Sequence, residues 1–176
     1  MYQNAGEKGR PHLDPNDPPR RRGNKRPGLG NFDNDRPAVS GVLGRSSHQA
    51  DVAVIPTTSK KELHHRIETT TQPGATVFTD ENAGYDGIKA KGREHKTVNH
   101  SKKEYARDED RDGHCEVHCN GMEGYWTGLR NYLRMFRGVS KWFLDQYVRF
   151  YMFLTNYKFR AEEGLRLLLC EKAKLP

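Results

Sequence analysis

The sequence predicts a mixed α/β sheet with helical cover, followed by two aromatic-rich helices at its C-terminal end. Three observations predict it. Short β-prone runs alternate with short helical segments up to about residue 100. Apolar residues recur at helical spacing from Asn120 onward, and they are sparse before Ala38 and dense after Tyr125. With 176 residues, 34% of them hydrophobic, the chain is long enough for one core of ordinary size and hence one active site.

From Gly6 to Arg36 the chain is rich in Gly, Pro, Asn, Asp and Arg and has no helical or strand period, so a long irregular loop is expected. Ala38 to Leu43 and Asp51 to Ile55 are β-prone runs joined by the polar stretch Gly44 to Gln49, the pattern of an antiparallel hairpin. Ser59-Lys60-Lys61-Glu62 forms a capping box, and Leu63 and Ile67, four residues apart, give the helix that follows one buried stripe. Ala75 to Phe78 is a further strand that ends at Thr79-Asp80-Glu81, which puts Asp80 where a strand emerges into a loop. A small helix around Ala83 to Ala90 and a strand near Lys96 to Asn99 complete the α/β part.

Met122, Trp126, Leu129, Leu133 and Phe136 follow at steps of 4, 3, 4 and 3 and line the core face of one helix. Gly138 ends that helix and Ser140 is placed to cap a second, from Lys141 to about Tyr157. Aromatic residues nearly all round the second helix imply packing on more than one side. The domain is expected over residues 1–160, with a tail at 161–176.

The formal charge of +7 and pI of about 9.4 suit a polyanionic partner such as nucleic acid and equally an ordinary basic protein. Arg20, Arg21, Arg22, Lys25 and Arg26 place five cations in seven residues, either as a solvated linker or as a loop that contacts phosphates. Cys115, Cys119 and Cys170 make no disulfide framework, and no leader or membrane-length apolar run is present, so a cytoplasmic location is expected.

On the first C-terminal helix Asn120, Glu123, Thr127, Arg130 and Arg134 recur at steps of 3, 4, 3 and 4. That stripe is a solvated face with local Glu-to-Arg pairing, or half of a divalent-metal site whose other carboxylate is Asp80. Two other constellations compete. Asp108, Asp110, Asp112 and Gly113 copy the first half of a calcium-binding loop, but its twelfth position is Cys119 instead of glutamate. His114, Cys115, His118 and Cys119 offer four zinc-capable groups, although adjacent pairs seldom reach one tetrahedral ion. His64, His65 and His100 read as surface or hydrogen-bonding histidines.

Taken in order, Thr79-Asp80-Glu81, Gly84-Tyr85, Val98-Asn99-His100-Ser101 with Glu104-Tyr105, His118-x-Asn120-x-x-Glu123-Gly124-x-Trp126 and Arg137-Gly138-Val139 resemble the signature of a bacterial insertion-sequence transposase family. The resemblance runs from about Tyr2 to Tyr157. It implies a DDE transposase with a ribonuclease H-like catalytic domain, which takes Mg²⁺ or Mn²⁺, binds transposon ends and target DNA, and works in a transposition complex as a homo-oligomer. It carries the second catalytic aspartate to Asp80 and the third metal-site position to Asn120 or Glu123. Arg130 falls where the family commonly has lysine, and it keeps the charge but not the ammonium geometry.

The resemblance also implies an Asp-Glu-x-Tyr motif at the end of a first strand. Tyr2 and Gly6-Glu7-Lys8-Gly9 align with the residues just after it, so the first aspartate is expected two residues before Met1. On that expectation the chain is inactive alone, because the carboxylate that bridges two metal ions is missing. The alternatives are a non-catalytic DNA-binding remnant of a transposase and an unrelated RNA-binding domain.

Overall fold

The computed structural model describes residues 37–170. β1 (Ala38–Leu43) and β2 (Ala50–Ile55) form the expected antiparallel hairpin, with Ala38 opposite Ile55 and Leu43 opposite Ala50. Val39, Val42, Val52 and Val54 supply the β-branched side chains that suit a pleated, half-covered surface. The turn is closed by the Gly44 amide donating to the Gln49 carbonyl at 2.9 Å, with His48 in the left-handed region at φ 54°.

In α1 (Lys60–Thr70) only half of the capping box forms. The Ser59 hydroxyl accepts from the Glu62 amide at 3.4 Å, while the Ser59 amide donates to Thr57 Oγ1 instead of to Glu62. Leu63 and Ile67 are buried, as their spacing requires. At the other end of the helix a buried arginine serves as the cap. The Arg93 guanidinium donates to the Glu68 carbonyl at 3.0 Å, the Thr71 carbonyl at 2.7 Å and Thr71 Oγ1 at 3.0 Å, which places a cation where the helix dipole is negative.

β3 (Thr76–Thr79) pairs in parallel with β4 (Glu94–Thr97), Thr76 opposite Glu94. The helix expected around residues 83–90 is instead two 3₁₀ turns, Ala83–Tyr85 and Ile88–Lys91. Gly87, at φ 86°, sits between them in a conformation no α-helix contains. The expected strand near Lys96 starts two residues earlier, and a small antiparallel pair, β5 (Ala106–Arg107) and β6 (Val117–His118), was not foreseen. The described strands therefore combine antiparallel and parallel pairs, but as three two-stranded sheets with no backbone ladder between them, β5 reaching β4 only through the Arg107 side chain on the Thr97 carbonyl at 3.1 Å.

Three helices follow: α2 (Asn120–Arg134), α3 (Leu144–Asn156) and α4 (Ala161–Cys170). The core gathers Ala50, Val52, Leu129, Leu133, Val139, Leu144 and Val148. α2 lies so close over β1 that a Cβ on Gly41 would stand 2.6 Å from Met122 Cε and 2.9 Å from Trp126 Cη2. α3 seals the free edge of β2. Asn156 accepts from the Ala50 amide at 2.8 Å and donates to its carbonyl at 2.9 Å, as a neighbouring strand would.

α3 begins at Leu144, not Lys141, because residues 141–143 form a turn in which the Phe143 amide donates to the Ser140 carbonyl. α3 packs on more than one side, with Met152 and Asn156 on β2, Tyr151 against Tyr125 and Tyr132 of α2, and Phe153 against Gly164, while one flank stays open. Leu144 and Val148 are buried, but Phe150 and Leu154 are exposed. Residues 161–170, expected as a tail, form α4, with Gly164 against Tyr157 and Phe153. Among the described residues no helix is long and apolar enough to cross a membrane.

Candidate functional site

β3 ends in a buried threonine. The Thr79 hydroxyl donates to the Asp80 carbonyl at 2.8 Å and bonds His95 Nε2 at 2.8 Å, which fixes the backbone from which Asp80 projects. Asp80 is exposed, and its carboxylate accepts the Asn82 amide at 3.2 Å. It stands at the carboxyl end of a parallel strand, the usual position for a ligand crevice in an open α/β sheet.

The crevice is an open cleft of about 1260 Å³ between β1 and β3, bounded at one end by the first turns of α2. Asp80, His100, His118, Cys119, Glu123 and Arg130 all line it. Asp80 and Glu123, 43 positions apart in sequence, thus face one space. Glu123 and Arg130 share a helix face two turns apart. Asn120, the first residue of α2, is exposed and is not among the lining residues. Arg134 is also off the lining, and its guanidinium donates to Asn131 Oδ1 at 2.9 Å.

The loop after β4 is clamped onto the cleft by Glu81. Its carboxylate accepts the His100 amide at 2.5 Å, the Ser101 amide at 3.0 Å and the Ser101 hydroxyl. The Ser101 hydroxyl bond, then the two amides, hold the Glu81 carboxyl below its usual range. The clamp sets His100 Nδ1 3.7 Å from Glu123 Oε1 and its ring 5.4 Å from that of Tyr105.

Burial first, then the charges of Asp80 and Glu123, push the Cys119 thiol up to about 11. Two carboxylates from different elements therefore act on the same sulfur, and it remains a protonated thiol at neutral pH. Burial, with Arg45 nearby, lowers the pKa of His118. The charged donors of the cleft are carboxylate oxygens, the donor type preferred by hard divalent cations.

Residues 8–156 match the family model of the ISXO2-like transposase domain. The chain belongs to the insertion-sequence DDE transposases. No curated protein matches it. The matched span of the transposase ends at the last residue of α3, so α4 lies beyond it.

Sequence reasoning missed one cleft residue of the transposase. Arg45, in the hairpin turn, donates to the Glu116 carbonyl at 2.5 Å and the His118 carbonyl at 2.6 Å, and its guanidinium stands 3.5 Å from the centroid of the Phe78 ring. It ties the β1–β2 hairpin to β6 and β3 at once. A lone arginine in a polar turn carries no sequence signal for such a role.

The competing metal constellations resolve differently. Asp108, Asp110 and Glu116 offer ligand atoms within 4.8 Å of one another, whereas no group of three including Asp80 or Glu123 is that close among the described residues. The acidic loop turns its oxygens on itself. Asp108 accepts the amides of Arg111 at 2.6 Å and Gly113 at 2.9 Å, and Glu116 accepts the Glu109 amide at 3.1 Å. Asp112, which a calcium loop would use, accepts the His114 amide at 2.8 Å and is outside the cluster. His114 and Cys115 are exposed in that loop while His118 and Cys119 line the cleft, so the four zinc-capable groups do not assemble. Arg20, Arg21, Arg22, Lys25 and Arg26, with the whole 6–36 segment and the residues aligned after the first family motif, lie outside the described residues.

Proposed function

We propose that the cleft between β3 and α2 is the DNA-cleaving and strand-joining site of this transposase, with Asp80 and Glu123 holding Mg²⁺ or Mn²⁺. The observation that carries the reading is that a strand-end aspartate and a helix glutamate line one cleft. The surrounding elements are read as a ribonuclease H-like domain, a reading supported by the order of antiparallel hairpin, helix and parallel pair with Asp80 at the end of β3. Bound divalent ions would activate the attacking oxygen and stabilise the leaving oxygen of a phosphodiester.

The residues have separable tasks. Asp80 and Glu123 supply ligand oxygens from opposite sides of the cleft. His100, fixed by the Glu81 clamp, stands with Nδ1 3.7 Å from Glu123 Oε1 at the edge of the site. Arg130 faces the same space with a guanidinium suited to a phosphate oxygen, and Arg134 extends that cationic track along α2. Arg20, Arg21, Arg22, Lys25 and Arg26 add sequence-independent phosphate contacts. Asn120 is assigned no metal-holding role.

The test is Mg²⁺- or Mn²⁺-dependent nicking of a transposon-end duplex, with binding measured in parallel. Asp80→Ala and Glu123→Gln are expected to remove any metal-dependent cleavage that the protein shows and to leave duplex binding near wild type, while Asn120→Ala leaves any such cleavage in place. Neutralising the five cations of residues 20–26 should weaken binding to any duplex and flatten its salt dependence. Metal-dependent cleavage that survives both Asp80→Ala and Glu123→Gln would overturn the site assignment, whereas duplex binding without cleavage is the outcome expected of a chain inactive alone and leaves the DNA-binding reading.

A further inference from the structure

From Gly124 to Leu144 the chain contains Arg130, Arg134, Arg137 and Lys141 and not one acidic residue. The last three of these cations surround the turn between α2 and α3, and there the apolar side chains point outward. Met135 is 67%, Trp142 63% and Phe143 57% exposed. Lys141 Nζ lies 5.0 Å from the centroid of the Trp142 ring. Arg137 takes a left-handed backbone, φ 52°, immediately before Gly138 at φ 129°. A non-glycine residue there costs free energy that glycine would not, so the fold accepts strain at an exposed arginine.

We propose that this turn is a stacking platform for an unpaired base of the bound DNA, with Trp142 as the stacking face and Arg134, Arg137 and Lys141 on the flanking phosphates. The inference rests on the DNA-binding reading of the cleft. Flat aromatic faces interleaved with cations are what recognises unstacked bases, because every base offers a π-face and every nucleotide a charge. A duplex with all bases stacked offers phosphates but no such face. The cationic charge selects a polyanion over an apolar protein surface.

Geometry connects the platform to the cleft. Glu123, Arg130 and Arg134 follow at steps of seven and four and share one side of α2. At a rise of about 1.5 Å per residue, Glu123 and Arg134 are about 16 Å apart along the helix, or about five base steps at about 3.4 Å each. DNA following the α2 cations away from Asp80 and Glu123 would reach the α2–α3 turn, which carries Trp142, after about five base steps.

The experiment compares the full chain and its Trp142→Ala and Trp142→Phe variants on a fully paired duplex and on the same duplex with one unpaired 2-aminopurine, scanned through successive positions. Wild type is expected to prefer the unpaired probe about tenfold at one position and to quench its fluorescence. Trp142→Ala should lose the preference and the quenching with paired-duplex affinity unchanged, and Trp142→Phe should keep most of both. Circular dichroism checks that the variants fold. If wild type binds neither probe, the DNA-binding reading itself fails. Equal binding of both probes, or a Trp142→Ala protein that retains the preference, would overturn the platform and leave DNA binding intact. So would a Trp142→Ala effect confined to self-association in sedimentation.

Discussion

Replacing Arg45 with alanine is expected to destabilise the transposase even though the side chain is exposed. Its two acceptors, the Glu116 and His118 carbonyls at 2.5 and 2.6 Å, receive charge-assisted bonds that are usually worth about 1.5–3 kcal/mol each. Because solvent reaches this guanidinium and water can replace it, about 1 kcal/mol for each bond is the better figure. The stacked Phe78 ring adds about 0.5–1 kcal/mol. The sum of about 2.5–3 kcal/mol corresponds to a Tm lowered by roughly 5–12 °C for a chain of this size. Arg45→Lys should recover less than half, because an ammonium cannot fork to two carbonyls while lying flat on a ring. Thermal unfolding without DNA or metal measures the effect, and hydrogen exchange at the amides of β6 locates it. A Tm for Arg45→Ala within about 1 °C of wild type, or full recovery by lysine, would refute the reasoning.

Leu144 is fully buried in the core, so Leu144→Ala should cost about 2–5 kcal/mol, read in urea as a lower midpoint with an unchanged slope. Arg93→Met keeps the stem but removes every donor to the end of α1, and about 3 kcal/mol should be lost, with faster amide exchange at Thr70 and Thr71. Glu81 should give a pH-dependent difference. Its folded pKa is depressed by the Ser101 hydroxyl and the neighbouring amides, so its stabilisation is present above the ordinary carboxylate value of about 4.3 and is lost as pH falls through the lower folded value. The stability gap between wild type and Glu81→Gln should therefore be open at neutral pH and close in acid, and a pH-independent gap would show that the clamp does not depend on ionisation.

The elements legible in sequence are those whose signal is local. The hairpin follows from two β-branched runs around a polar turn, and α2 from its apolar period, although the last member expected on the core face, Phe136, lies beyond Arg134 and is exposed. The misreadings arise where a local signal is overridden. The Ser59 amide bonds Thr57 instead of Glu62, and Gly87 divides an expected helix into two turns. The β5–β6 pair could not be read at all, because two residues per strand carry no period and the pairing spans a long acidic loop. Arg93 was likewise invisible, since its acceptors are main-chain carbonyls, which no sequence pattern marks.

The site was half legible for a related reason. The stripe of Asn120, Glu123, Thr127, Arg130 and Arg134 specifies one helix face but not what that face looks onto. The opposite flank of α2 decides that. Met122 and Trp126 pack over Gly41, where a side chain would collide with both, so α2 is drawn close to β1 and rotated until Glu123 and Arg130 overlook the gap between β1 and β3. Asn120, only three residues earlier but about 60° further round the helix, is left outside. The same apolar contacts that hold the core together thus select which polar residues of α2 reach the space above Asp80. Spacing alone left Asn120 and Glu123 equivalent, and the packing of Gly41 under Trp126 puts Glu123 on the lining of the cleft and Asn120 off it.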